Sequence, residues 1–264
     1  MQEREHRDAE ERSSPTAATV HHAICKEGES ELERTTSALA WSGLAAGLSM
    51  GFAFLGTALL HGHLPHAKWT PLVTAFGYTL GFVIVVLGRQ QLFTENTLTV
   101  VLPLLSRKEG SILWNVVRLW VVVLAANLIG AILIALVFAR TEVVDHETYK
   151  AMREIAHHAQ APGFAVTLLR GIIAGWLIAL MVWLLPFAET ARVLVIVLIA
   201  WLVQAGHFSH IIAGSVDGAF LVFIGESTWG EFFLDFFTPT LIGNVIGGVS
   251  LVAAINHAQV KTDA

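Results

Sequence analysis

The sequence Gly206-His207-Phe208-Ser209-His210-Ile211-Ile212-Ala213-Gly214-Ser215 lies inside an apolar segment that is long enough to cross a bilayer. It contains two histidines, two serines and two glycines. Polar, irregular backbone is tolerated at membrane depth only where it is buried in protein or lines a wet cavity. Ionisable residues in such a place are candidates for function. The stretch therefore predicts a polar site inside a membrane protein.

The composition is that of an integral membrane protein. Of the 264 residues, 55% are apolar and only 14% are charged, against roughly 25% charge in soluble domains. The mean hydropathy is +0.64. The net charge of −5 gives no reason to expect a nucleic-acid partner. Cys25 is the only cysteine, so no disulfide framework is expected, and no cofactor is predicted. The charged N-terminus lacks the apolar core of a cleaved signal peptide.

Six apolar segments follow a polar N-terminal region, and each reaches the about 20 residues that a helix needs to span a bilayer. They lie at 38–60, 72–104, 112–139, 164–187, 191–224 and 237–257. The second and fifth are longer than one span and are interrupted by polar residues, at 89–96 and in the stretch quoted above. Both segments therefore predict a broken helix, with an irregular loop between two half-helices.

The Lys and Arg residues predict the orientation of these spans. Nine of the sixteen fall in termini and loops on the side of the N-terminus, and four fall in the opposite loops. Since positive charge concentrates on the cytoplasmic side, we expect both termini in the cytoplasm and the protein in the cell (inner) membrane. The predicted organisation is a cytoplasmic tail at 1–37, a six-span channel domain at 38–258 and a short tail at 259–264. Residues 17–36 form either a surface helix or a solvated tail.

Short motifs recur in the same order in the two halves of the channel domain. Gly43 and Gly47 correspond to Gly171 and Gly175, and Asn127 and Gly130 correspond to Asn244 and Gly247. The broken helices fall at matching places between these motifs, which favours a duplication. Three spans are an odd number, so the second half must be inverted, with halves at about 38–139 and 164–257. The predicted fold class is all-α, with six spans in a 3+3 inverted repeat and a site near the midplane.

His210 is the main candidate residue of the second broken helix. A histidine titrates near neutral pH, so His210 can offer a proton to a small anion, which is costly to bring into hydrocarbon. Thr94, in the first broken helix, is a candidate to orient the imidazole by a hydrogen bond. His207 and Ser209 are weaker candidates for the pore wall, and His207 has the alternative of facing a neighbouring loop.

Four further residues of the first broken helix are candidates for pore roles. Leu92 and Phe93 either close the pore by dewetting or are ordinary packing residues. Arg89 and Glu95 are costly charges within a span. Either they pair with each other, or Arg89 lies at the cytoplasmic mouth and attracts anions. The histidines of the predicted outer loops lack the spacing of metal ligands, so no metal site is predicted.

Together these motifs resemble the formate/nitrite transporter family. The resemblance covers about residues 20–260 and rests on Leu92-Phe93-Thr94, Asn127 to Ala131, the segment centred on His210, and Pro239 to Gly248. Arg89 to Asn96 with Gly214 to Val216 resembles the YfdC-like branch of that family. The resemblance implies an aquaporin-like fold in a homopentamer, with one pore per protomer for formate, nitrite or related monovalent anions. It also implies that Leu92, Phe93 and Thr94 form a constriction, and that His210 is the central histidine.

Several positions depart from the better-known channels of that family. Ser209 stands where they have glutamate, Gly175 where they have an asparagine facing the histidine, and Arg89 where glycine is typical. No lysine near 157–160 corresponds to their vestibule lysine. These differences change the polarity around the pore and leave the substrate open.

Three functions are compatible with these residues. The first is a passive or proton-linked channel for small monovalent anions or their weak acids. The second is a pore for a neutral solute such as water, glycerol or ammonia, and the third is a non-conducting scaffold or sensor with a sealed pore. An enzyme is not expected, because the spans contain no His-Glu-x-x-His, no Gly-x-Ser-x-Gly and no carboxylate pair.

Overall fold

The computed structural model describes residues 15–107, 109–160 and 163–262, and these ranges contain helices and loops but no β-strand. In chain order the helices are α1 (Ala17–Glu33), α2 (Thr36–His63), α3 (Thr70–Leu87), α4 (Asn96–Thr99), α5 (Val101–Arg107), α6 (Gly110–Arg140), α7 (His146–Gln160), α8 (Phe164–Leu184), α9 (Arg192–Ala205), α10 (Ile211–Ile224) and α11 (Trp229–Thr262). Short 3₁₀ turns at Leu185–Phe187 and Glu189–Ala191 join α8 to α9. Helix α11 includes π-helical stretches at Phe232–Phe237 and Gly247–Ala254.

Five helices in the described part of the chain are long and apolar enough to cross a membrane, namely α2, α3, α6, α8 and α11. Helix α10 is apolar but has only 14 residues. Large apolar side chains are exposed on these helices, among them Trp41 (71%), Trp114 (69%) and Leu234 (68%). Apolar surface of this extent is suited to lipid or to neighbouring subunits rather than to water. The chain is therefore a membrane protein.

The second and fifth apolar segments are broken where the sequence predicts it. Helix α3 ends at Leu87 and α4 begins at Asn96, so residues 88–95 form what we call the first break. Helix α9 ends at Ala205 and α10 begins at Ile211, so residues 206–210 form the second break. Both breaks bring loop backbone into the interior of the helix bundle.

The region before the first span contains helix α1 over Ala17–Glu33. The hydroxyl oxygen of Thr16 accepts a hydrogen bond from the N–H of Thr19 (3.2 Å) and caps the helix. Ile24 and Leu32 are buried on one side of α1. That apolar side holds the helix against the membrane helices.

Most of the predicted outer loop between the third and fourth apolar segments forms helix α7. Asp145 starts the helix by accepting hydrogen bonds from the N–H (2.9 Å) and the hydroxyl (2.7 Å) of Thr148. The helix buries Ala151, Met152 and Ala156. These apolar residues are few and mostly small, so hydropathy alone marks the segment as a polar loop.

Two helix pairs, α2 with α6 and α8 with α11, pack closely through the glycines of the repeated motifs. A Cβ atom on Gly47 would collide with the backbone of Asn127, and one on Gly175 would collide with the backbone of Asn244. The other motif glycines lie along the same two contacts: Gly43 and Gly130 in the first pair, Gly171 and Gly247 in the second. Small residues allow this close approach, and it brings each asparagine beside one of the breaks.

Candidate pore site

Both breaks begin with the same backbone turn. The N–H groups of Gln90 and Phe208 each donate to the carbonyl five residues earlier, at 3.0 and 2.9 Å. This hydrogen bond closes the C-terminal ends of α3 and α9. The preceding residues, Arg89 and His207, both have a φ of 53°. That conformation is unfavourable for any residue that carries a Cβ atom, so both turns store backbone strain.

Asn127 of α6 holds the first break. Its Nδ2 donates to the carbonyl oxygens of Gly43 (2.7 Å) and Gln91 (2.9 Å). Its Oδ1 accepts from the N–H of Phe93 (2.9 Å). The side chain is fully buried, so these three bonds satisfy backbone groups that no water can reach.

Asn244 of α11 makes the corresponding bonds at the second break. Its Nδ2 donates to the carbonyl oxygens of Gly171 (2.8 Å) and Ser209 (2.9 Å). Its Oδ1 accepts from the N–H of Ile211 (2.9 Å). Each asparagine therefore ties a motif glycine to the loop of the break in its own half.

The two breaks meet at Thr94 and His210. The hydroxyl oxygen of Thr94 lies 2.8 Å from Nε2 of His210. Thr94 is fully buried and His210 is 2% exposed. This is the contact that the sequence suggested for orienting the imidazole, and it joins residues that are 116 positions apart in the chain.

The backbone of α10 determines the tautomer of His210. Nδ1 of His210 accepts a hydrogen bond from the N–H of Ala213 (3.3 Å), so His210 caps the N-terminus of α10. Since Nδ1 is an acceptor, the proton of the neutral ring is on Nε2, which donates to Thr94. A second proton on Nδ1 would break the cap and place a cation at the positive end of the helix. The site therefore favours the neutral imidazole.

Apolar side chains surround this hydrogen bond. The ring of Phe82 lies edge-on to His210, with 5.0 Å between centroids. Leu92 and Phe93 are 0% and 2% exposed, and Phe93 packs against Trp120. Leu92 and Phe93 are part of the buried core, and a dewetting role in a pore stays a prediction.

A cavity of about 390 Å³ reaches His210 from one side, and we call it the histidine cavity. Its wall includes Ser209 and His207 of the second break, Tyr78 of α3, Arg170 of α8 and Asp217 of α10. The ring of His207 lies 4.8 Å from that of His158 in α7, measured between centroids. His207 thus lines the cavity and also faces the segment between α6 and α8.

A charged network lies near the histidine cavity. Glu226, which follows α10, accepts hydrogen bonds from Nε of Arg153 (2.7 Å) and Nε2 of His157 (2.6 Å) of α7. The bond from Arg153, followed by that from His157, lowers the pKa of Glu226 below its usual range. The network fastens α7 to the end of α10.

A second cavity, of about 90 Å³, lies beside the first break, and we call it the glutamate cavity. Glu27 and Glu31 of α1 and Glu95 of the first break line it, together with Arg89. Arg89 forms an ion pair with Glu27 (2.7 Å), so the pairing with Glu95, one of the two alternatives for Arg89, is not formed in the described part of the chain. Oε1 of Glu95 is buried without a hydrogen-bond partner in the described part of the chain.

A family model described as formate/nitrite transporter matches residues 18–258 of this chain. The chain belongs to the formate/nitrite transporter family. It is 41% identical over 254 residues to the inner membrane protein YfdC of Escherichia coli (strain K12), with 96% of this chain and 82% of that protein covered. It is also 27% identical over 241 residues to the formate channel BtFdhC of Bacillus thuringiensis, with coverage of 88% and 91%. These matches confirm the family that the motifs suggested.

Solved structures share the fold of this family member. A pentameric formate channel with formate bound superposes with a TM-score of 0.71 at 23% identity, covering 83% of this chain and 95% of that one. A structure described as an FNT family ion channel gives a TM-score of 0.77 at 18% identity, covering 91% and 98%. At these identities the likeness shows the fold.

Two charged residues of the transporter's histidine cavity, Arg170 and Asp217, were missed in the sequence. Asp217 is the only acidic residue in the apolar segment 191–224 and follows His210 by seven positions, which places both near one face of α10. Both features are visible in the sequence and mark Asp217 as a candidate. Within the described residues, no group of three or more His, Cys, Asp or Glu side chains is arranged to hold a metal ion.

Proposed function

We propose that this protein is a channel or transporter for small monovalent anions or their conjugate weak acids. The proposed path runs from the histidine cavity past His210 and Thr94 to the glutamate cavity. In this proposal Leu92 and Phe93 form the constriction, and His207 and Ser209 belong to the wall of the histidine cavity. The names of the relatives, a formate channel among them, support this class of substrate.

The buried hydrogen bond between Thr94 and His210 is the observation that carries the proposal. Once Nε2 of His210 donates to Thr94, the hydroxyl hydrogen of Thr94 is free to donate to a passing anion. Thr94 makes no other side-chain hydrogen bond among the described residues. A donor at this point offsets part of the cost of removing water from an anion. The positive end of α10 adds to the same effect.

We further propose that the fold is a 3+3 inverted repeat of six spans. The matched bonds of Asn127 and Asn244, and the equal φ angles of Arg89 and His207, support a duplication. The orientation expected from Lys and Arg places both termini and the glutamate cavity on the cytoplasmic side of the cell membrane. The pentameric neighbour supports a homopentamer with one pore per protomer.

Uptake into liposomes tests the main proposal. Formate, nitrite and acetate are offered to the purified wild type and to His210→Asn and His210→Ala. Asparagine retains a cap for α10 but cannot reproduce the geometry of the imidazole, so we expect both variants to lose most of the flux while His210→Asn stays folded. If the wild type moves none of these anions faster than empty liposomes do, the assignment is wrong.

One observation favours a neutral solute as the second candidate. Three carboxyl groups, those of Glu27, Glu31 and Glu95, line the glutamate cavity and outnumber its two guanidinium groups, those of Arg89 and Arg192. An excess of negative charge there opposes the passage of anions. Osmotic swelling in water and glycerol gradients separates the two functions. Fast swelling without anion flux would establish the neutral pore, and anion flux with ordinary swelling would exclude it.

A further inference from the structure

Among the residues that the structure describes, the histidine cavity contains one cation and one carboxyl group that are paired neither with each other nor with another side chain. Arg170 and Asp217 both line the cavity. No salt bridge joins them, and neither side chain makes a hydrogen bond to another described residue. Charged groups inside a membrane protein are costly unless they are paired. This cavity therefore changes its net charge when Asp217 takes up a proton.

The other ionisable groups that line the cavity or pack on α10 come from several helices and from the second break. They are His61 of α2, Tyr78 of α3, Glu154 and His158 of α7, His207 and His210 of the second break, and Tyr149, which packs on Phe220 of α10. His61 is paired with Glu154 at 3.3 Å. His210 caps α10 through Nδ1 and stays neutral for that reason. Within the described ranges, Asp217 is thus the acid of this cavity that has no ion-pair or hydrogen-bond partner.

We propose that Asp217 is the group that couples entry of the anion to uptake of a proton. With Asp217 ionised, its charge cancels that of Arg170 and repels an arriving anion. When Asp217 is protonated, the cavity keeps the charge of Arg170 and binds the anion. One proton and one anion thus enter together, with no net charge added, and both leave when the anion moves on. This inference rests on the proposed function and names the residue that gives it its pH dependence.

A carboxylate within about 7 Å of a bound anion weakens its binding by roughly ten-fold or more, at an effective dielectric constant of about 20 to 40. Asp217→Asn removes that charge and keeps the shape of the side chain. We therefore expect Asp217→Asn to bind formate at about pH 8 at least roughly ten-fold more tightly than the wild type. The two proteins should bind alike at low pH, where Asp217 is neutral in the wild type.

Isothermal titration calorimetry with formate, run in buffers of different ionisation enthalpy, counts the protons taken up with each anion. Near the pH at which Asp217 titrates, a ten-fold coupling corresponds to about half a proton taken up per formate, so we expect at least about that much for the wild type and close to none for Asp217→Asn. Asp217→Glu keeps an ionisable group and should restore the uptake. Glu147→Gln removes an exposed carboxyl group of α7 that lines neither cavity and should change the formate affinity less than about two-fold, because water screens that charge.

Two results would overturn the inference. If Asp217→Asn takes up as many protons per formate as the wild type, the proton goes to the anion itself or to a histidine. If Glu147→Gln changes the affinity as much as Asp217→Asn, the effect is one of overall charge. Either result leaves the proposed function intact as long as the wild type binds and transports formate. Absence of binding and flux in every variant would instead refute the proposed function.

Discussion

Arg89 and His207 have the same left-handed backbone conformation, each with a φ of 53°, at the ends of the helices that enter the two breaks. Glycine adopts this conformation without strain, whereas alanine does not. Arg89→Gly and Arg89→Ala both lose the ion pair with Glu27, which is largely exposed and worth at most about 1 kcal/mol. We expect Arg89→Gly to be more stable than Arg89→Ala by about 1 kcal/mol.

Thermal unfolding of the two Arg89 variants in detergent measures this difference. His207→Gly and His207→Ala provide an independent pair with the same geometry, and their difference should have the same sign. Equal stability of glycine and alanine at both positions would mean that the turns carry no backbone strain.

Replacing Asn127 or Asn244 by alanine should destabilise the protein by about 3 to 5 kcal/mol, because each change leaves three buried backbone groups without a partner. The two variants should behave alike, since the two side chains make matching bonds. Thermal unfolding of the purified protein in detergent measures the effect. A much smaller loss at one of the two positions would show that its break is held by other contacts.

Thr94→Val should reduce anion flux by about five- to ten-fold, because it removes a hydroxyl that accepts from His210 and donates to the anion. Thr94→Ser keeps the hydroxyl and should stay within about two-fold of the wild type. Uptake of labelled formate into liposomes measures both. If valine and serine give the same flux, the hydroxyl of Thr94 does not contact the substrate.

Gly47→Ala should destabilise the protein by about 1 to 3 kcal/mol, since the new methyl group would meet the carbonyl of Asn127. Gly110 begins α6, and a Cβ atom there meets nothing within 4 Å. Gly110→Ala is therefore the matched control, and we expect it to change stability by less than about 0.5 kcal/mol. Chemical unfolding of both variants shows whether the loss of stability comes from close helix packing at Gly47 or from the replacement of a glycine as such.

The attachment of α7 should weaken in acid. The pKa of Glu226 is lowered in the folded protein by its bonds to Arg153 and His157, so its contribution to stability is present above the ordinary pKa of a glutamate and is lost as the pH falls through the lowered value. The contribution is at most about 1 kcal/mol, because the network is partly exposed. Hydrogen exchange of residues 146–160 should accelerate at low pH in the wild type.

Glu226→Gln supplies the control for that pH dependence. Its exchange over residues 146–160 should already be faster at neutral pH and should change less on acidification. An identical pH dependence in wild type and variant would assign the effect to another group.

Much of the site was predictable because polar residues within apolar segments are rare. The two broken helices, the repeated asparagine and glycine motifs and the contact between Thr94 and His210 all follow from that contrast between polar and apolar sequence. The motifs did not reveal what the asparagines do, since their partners are backbone groups of a loop whose course depends on the fold.

Other features depend on tertiary contacts that no local pattern carries. Helix α7 has a short apolar side and becomes buried only because the ends of the membrane helices cover it. Arg89 pairs with Glu27, and that choice depends on where α1 lies. Asp217 was visible in the sequence, but its importance depends on the cavity that it shares with Arg170.

The separation of Thr94 from His210 by 116 residues has a consequence for biosynthesis. A nascent chain that has been translated through α6 already contains Asn127 and can complete the first break. Thr94 then still lacks its partner, because the ribosome has yet to make the second half. The contact between the two breaks can therefore form only after both halves have been synthesised, so it is a late event in the assembly of the site.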